Sequence, residues 1–283
     1  MRRRQSLALA GSLLAGAGCL GGPESAPPST STSTATATTP TNSGTESRPP
    51  PSLSVAVEAL QPAIVRLQTD YLTVGDASAR HLFLDVTVEA GRLPREELEL
   101  AVDGETYAPM PETEARPLWR FYGAASGYGL GAGGVVWFRL PSSVPADPTI
   151  RLRWPGGEWP LPEPYRRRLA ASSPPLSWSV EAPSELDVGT PPTVRASVAN
   201  DGDLPGRFVA GLSRAGPRVA SIPVRRVSAR VPANETRTVE TTADVTGQEV
   251  DAEDLGDGEA DVRFTLRTVG ETVTRAVRYV DAD

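Results

Sequence analysis

The chain has 283 residues, with 28 basic side chains against 35 acidic ones and a net charge of −7. Every basic residue is arginine. Such an acidic balance argues against nucleic acid as a partner. The missing lysine removes the Walker phosphate loop, Schiff-base chemistry and Ser-x-x-Lys acyl enzymes.

Only 39% of the residues are hydrophobic and 6% aromatic, while Gly and Pro number 26 and 28. That composition favours short strands and frequent turns over long helices. The length leaves room for two domains.

Residues 1–22 read as an export signal. Arg2, Arg3 and Arg4 precede an uncharged apolar run from Leu7 to Leu20. A positive cluster ahead of a short apolar segment is the pattern of a secretory signal, and the run falls short of the roughly 20 residues a spanning helix needs. Gly16-Ala17-Gly18-Cys19 resembles a lipobox, with Gly16 where that family usually carries Leu. Arg3 and Arg4 resemble a twin-arginine export signal, with Ser6 at a position usually hydrophobic. Cys19 is the one cysteine, so no intrachain disulfide forms. The lipobox resemblance implies that Cys19 carries a thioether-linked glycerolipid with two chains, enough for stable anchoring. A plain secretory signal is the alternative.

Loss of residues 1–18 would remove three arginines and no acid, leaving 25 against 35, or −10. An acidic chain without lysine resembles the secreted proteins of halophilic archaea, where hydrated carboxylates keep a surface soluble. A GC-rich genome favouring arginine codons produces the same bias. Residues 23–52 are almost wholly Pro, Ser, Thr, Ala and Gly. They bury too little apolar area to offset ordering entropy and are expected to be a disordered spacer. As a loose coil the spacer averages roughly 30 Å end to end, and extended it approaches about 90 Å.

The first domain is expected over residues 53–164 as a β-sandwich. Leu82, Leu84, Val86 and Val88 alternate with Phe83, Asp85, Thr87 and Glu89, the period of a half-buried strand. Val55-Val57, Leu98-Leu100-Val102, Val135 to Leu140 and Ile150-Leu152-Trp154 predict further strands, the last turning at Pro155-Gly156-Gly157. About eight short strands separated by turns give the cadence of a sandwich. Residues 165–175 read as a charged joint, with Tyr165-Arg166-Arg167-Arg168-Leu169 forming one helical turn or a solvated linker.

The second domain is expected over residues 176–283. Leu176, Trp178 and Val180 alternate with serines, and Val194-Ala196-Val198 lead into a turn at Asn200-Asp201-Gly202. Val262, Phe264 and Leu266 pair with the strand Thr272 to Val280. Leu186-Asp187-Val188-Gly189, Val194 to Gly202 and the turn Val231 to Thr236 resemble the cell-adhesion-related and NPCBM-associated families. That resemblance implies an immunoglobulin-like sandwich and supplies no catalytic residues. The expected fold class is therefore all-β, with two immunoglobulin-like β-sandwich domains.

Candidate sites are few. His81 precedes a strand on its expected polar face, and reads as an exposed strand histidine. One His and one Cys cannot make a blue-copper site. Gly129 to Gly134 satisfies G-x-G-x-x-G, yet a strand follows where phosphate binding needs a helix. A flexible loop beside Tyr122 and Tyr128 is the reading. Asp251, Glu253, Asp254, Asp257, Glu259 and Asp261 form an acidic loop, weak candidates for calcium because Leu255 breaks the EF-hand spacing. Asn234-Glu235-Thr236 is an N-glycosylation acceptor.

The expectation is a non-catalytic lipid-anchored protein of the cell surface, with no cofactor. Its partners are the membrane, through the lipid, and a surface or extracellular protein or glycan. The alternative is a capture protein for a small ligand or divalent metal.

Overall fold

The computed structural model describes residues 50–111, 128–129, 132–216, 219–243 and 261–280. Strand takes up 62% of these and helix 6%, so the chain is all-β. The first sandwich packs the sheet β1 (Ser52–Gln61), β4 (Ala79–Ala90), β8 (Gly133–Pro141) and β7 (Tyr128–Gly129) on a second sheet. That second sheet runs β10 (Gly157–Pro160), β9 (Ile150–Trp154), β5 (Glu99–Val102) and β6 (Glu105–Tyr107). The predicted alternation builds the core between them. Leu82, Leu84 and Val86 meet Leu100, Phe138, Ile150 and Leu152, all buried.

The second sandwich has a three-stranded sheet, β11 (Leu176–Glu181), β13 (Thr193–Asn200) and β16 (Glu235–Thr242). It faces β12 (Glu185–Asp187), β18 (Thr272–Val280), β17 (Val262–Arg267), β14 (Gly206–Gly216) and β15 (Val219–Val231). Strand β12 runs parallel to β18, whereas the other pairs in this domain are antiparallel. The first strand thus splits between the two sheets, an immunoglobulin-like arrangement. Val180, Val198, Phe208, Leu212, Phe264 and Val277 fill the core.

Asn200 closes the turn after β13 from inside. Its Nδ2 donates to the carbonyls of Leu204, Val231 and Pro232 at 2.9, 3.1 and 2.9 Å, and its Oδ1 accepts from Gly202 N at 3.0 Å. The side chain is buried, with both ends of its amide hydrogen-bonded.

Two segments differ from expectation. The arginine-rich joint forms a helix, α1 (Glu163–Ala170), of two turns, with proline near its start. Leu169 points into the first core and is fully buried. Just before β1, within the range expected to be spacer, the chain is held: Trp154 Nε1 donates to Pro51 O at 3.0 Å.

Candidate functional site at the junction of the two sandwiches

Between β1 and β4 the chain makes a hairpin, β2 (Ile64–Leu67) and β3 (Leu72–Gly75), that belongs to neither sheet. Its outer residues pack on β14 of the second sandwich. Val65, Leu72 and Val209 form a buried cluster with Leu67 and Val74 around it. Leu72 N donates to Ser213 Oγ at 3.0 Å, satisfying a hydroxyl that is itself buried. Gly211 permits the approach, because a Cβ there would lie 2.6 Å from Leu72 Cβ. At the rim, the Arg267 guanidinium sits 5.0 Å from the Tyr71 ring centroid.

The opposite side of the hairpin covers β4 and β8. Ile64, Ala59, Phe83 and Trp137 form a second small core, with Phe83 and Trp137 stacked at 5.7 Å. This cover corrects the reading of His81, which is fully buried instead of exposed. Trp137 Nε1 donates to His81 Nδ1 at 3.1 Å, and a 2.9 Å bond joins His81 Nε2 to the carbonyl of Asp76. Indole nitrogen only donates, so Nδ1 is unprotonated and Nε2 carries the hydrogen. Burial pushes the imidazole below its ordinary value, outweighing the Asp76 contacts that pull it up. Asp76 stands in the left-handed region at φ 58° and accepts from Arg139 Nε at 2.8 Å and Nη2 at 3.0 Å. That Arg139 pair holds the Asp76 carboxyl below its usual value.

Beside the hairpin lies a shallow, open concavity lined by Leu60, Gln61, Pro62, Arg80, Arg168 and Arg207. Four elements meet here: the end of β1, the start of β4, α1 and β14. Arg80 is buried, donating to the carbonyls of Ser142 at 3.1 Å and Ala171 at 3.3 Å and to the Ser173 hydroxyl. These bonds tie the segment after α1 onto the first sandwich. Arg168 donates to Ser172 O at 3.0 Å, and Arg207 to Ser228 Oγ at 2.9 Å. Burial, and then the neighbouring Arg80 charge, draw the Arg168 guanidinium down to about 10, so it stays charged at neutral pH. Gln61 Nε2 donates to Ala63 O at 2.8 Å, while its buried Oε1 has no hydrogen-bond partner among the described residues.

The sequence motifs fall elsewhere. Gly129 and Gly133 pair within the β7–β8 hairpin, and the predicted strand follows. Gly133 has φ 107°, and a Cβ there would lie 2.3 Å from Val86 O, so close passage of β4 requires the glycine. Tyr128 is spent on structure: its hydroxyl donates to Leu93 O at 2.9 Å, and burial followed by Glu96 and Glu97 pushes it up to about 12. Asn234 is exposed in the β15–β16 turn, with φ 57°. Asp261 Oδ2 accepts from Tyr279 N at 2.8 Å. Cys19, Arg3, Arg4, Tyr122, Asp251, Glu253, Asp254, Asp257 and Glu259 lie outside the described residues. No group of three metal-ligating side chains occurs among the described residues.

Sequence reasoning missed Gln61, Arg80 and Arg207 as neighbours. They come from three strands far apart in the chain, and no local spacing links them. The Arg166-Arg167-Arg168 run was the sole visible signal.

No family model and no curated protein matches the chain. Two solved structures of a β-glucosidase from Listeria innocua align with 39% of it. One is a mutant in complex with laminaribiose, at 16% identity and TM-score 0.30. The other is in complex with isofagomine, at 17% identity and TM-score 0.29. The chain covers 17% of the length of each. At those scores the likeness carries no inference about activity.

Proposed function

We propose that this is a non-catalytic, lipid-anchored protein of the outer membrane face that presents its two sandwiches as one rigid body. Arg3 and Arg4 direct export, Cys19 carries the lipid, and the Ser/Thr/Pro-rich stretch of residues 23–52 acts as the spacer. The body it presents binds a surface or extracellular protein or a glycan, in adhesion or in organising the envelope. One observation supports the joined pair: the β2–β3 hairpin is buried on both sides, against β14 on one and against Phe83 and Trp137 on the other. A rigid pair delivers both sets of sandwich-end loops and sheet edges in a fixed relation, which lowers the ordering cost of a two-point contact.

The test is fractionation of cells expressing wild type and Cys19→Ser. Wild type is expected in the membrane fraction and released by detergent, while Cys19→Ser is expected in the medium or unprocessed. Equal, detergent-dependent retention of both would contradict the anchor.

A further inference from the structure

The second sandwich holds two asparagines, and the fold treats them in opposite ways. Asn200 spends its amide on backbone inside the domain. Asn234 stands exposed in the β15–β16 turn, and its side-chain amide bonds to no described residue. A φ of 57° places it where the chain reverses, and the extended backbone of β16 begins at the next residue.

The hydroxyl two residues on is left over as well. Across the outer face of the three-stranded sheet, hydroxyls pair between strands: Thr193 with Thr242 at 3.1 Å and Ser197 with Thr238 at 3.2 Å. Thr236 departs from that pattern because its neighbour on β13 is Ala199, which has no hydroxyl to offer. Thr236 is exposed, and its hydroxyl bonds to no described residue. Glu235, between the two, is held by Arg237, whose Nη2 donates to Glu235 Oε2 at 3.0 Å. An amide and a hydroxyl two residues apart, with no proline between them, form the acceptor for N-linked sugar. Here neither group has an internal bond to surrender. The other two asparagines of the chain lack the second element, since Asn42 is followed two residues on by Gly44 and Asn200 by Gly202.

We infer that Asn234 carries an N-linked glycan in the exported protein. The inference rests on the export reading above, because this modification belongs to secreted chains. In the transfer, Asn234 Nδ2 forms a bond to C1 of a sugar held on a polyprenyl phosphate or diphosphate. The bond from C1 to the phosphate oxygen breaks, and the lipid phosphate leaves with that electron pair. One amide proton passes to a base of the transferase.

The test is peptide mapping of the full-length protein purified from the cells that make it. Trypsin cuts after Arg230 and Arg237 and so isolates the acceptor on residues 231–237. The expected peptide is heavier than its sequence by whole sugar residues, with fragments that keep the sugar on Asn234. Asn234→Gly, which suits the positive φ, is expected to abolish the added mass. Thr236→Val keeps the shape of an exposed side chain, removes its hydroxyl and is expected to do the same, whereas Thr236→Ser is expected to retain the sugar. A wholly unmodified wild-type peptide, sugar on Thr236 instead of Asn234, or added mass that persists in Thr236→Val would each overturn the inference. The wild-type peptide decides the matter even if a variant does not fold. The N-terminal peptide of the same sample reports on export separately. An unmodified acceptor on a chain beginning at Cys19 overturns the glycan alone; on a chain beginning at Met1 it overturns both readings.

Discussion

Trp137 and His81 are locked to one another by a hydrogen bond of 3.1 Å that only a neutral imidazole can accept. The folded state therefore resists protonation of His81, whose pKa is depressed chiefly by burial, with the charges of Arg139 and Arg66 adding to it. The unfolded chain binds that proton at the ordinary value of 6.5. Below that pH the unfolded state holds more protons, so stability is expected to fall as pH drops from about 7 toward 5. Urea midpoints across this range check it, and His81→Phe is expected to flatten the profile. An unchanged slope in the variant would assign the effect elsewhere. Asp76 acts in a lower window: its carboxyl, depressed by Arg139, contributes stability that is lost only as pH falls below the ordinary value of 3.8.

The hairpin, packed against both sandwiches, is expected to make them melt together. Leu72→Ala removes a fully buried side chain and is expected to cost about 2–5 kcal/mol. Gly211→Val places a Cβ where only 2.6 Å is free, and is expected to lift the hairpin from β14. Calorimetry of Gly211→Val should show two transitions in place of the single wild-type one. A single transition with an unshifted midpoint would mean that the hairpin does not couple the domains.

Strand β4 shows where sequence could lead and where it stopped. Strand β4 was legible because Leu82, Leu84 and Val86 alternate toward one core. The other face was misread. His81 reads as exposed and Phe83 falls on the strand's outward face, because nothing local announces that the hairpin between β1 and β4 folds back over them. Periodicity reports the face a strand turns to its own sandwich; it carries no information about an additional layer. Leu169 was hidden similarly, since three arginines ahead of it mask the buried residue of a short helix. The all-β class survived because it rests on many strands, whereas the concavity depends on four segments converging.

Asn200 is expected to be the least replaceable polar residue of the second sandwich. Asn200→Ala abandons the carbonyls of Leu204, Val231 and Pro232 inside the protein, a loss of about 3 kcal/mol. Denaturant unfolding measures it, and a change under about 1 kcal/mol would show that water replaces the amide.

Asn234 offers the converse. It is exposed and holds a positive φ of 57°, so Asn234→Gly is expected to be neutral or slightly stabilising and Asn234→Ala to cost about 1 kcal/mol. If the Asn234-Glu235-Thr236 triplet is used outside the cell, the peptide bearing it carries a glycan mass that Asn234→Gly abolishes.

Intact-mass spectrometry of the protein purified from its native membranes tests the central claim most directly. The account predicts a polypeptide beginning at Cys19 and heavier than its sequence by a two-chain glycerolipid. A polypeptide that still begins at Met1 and carries no added mass would contradict it.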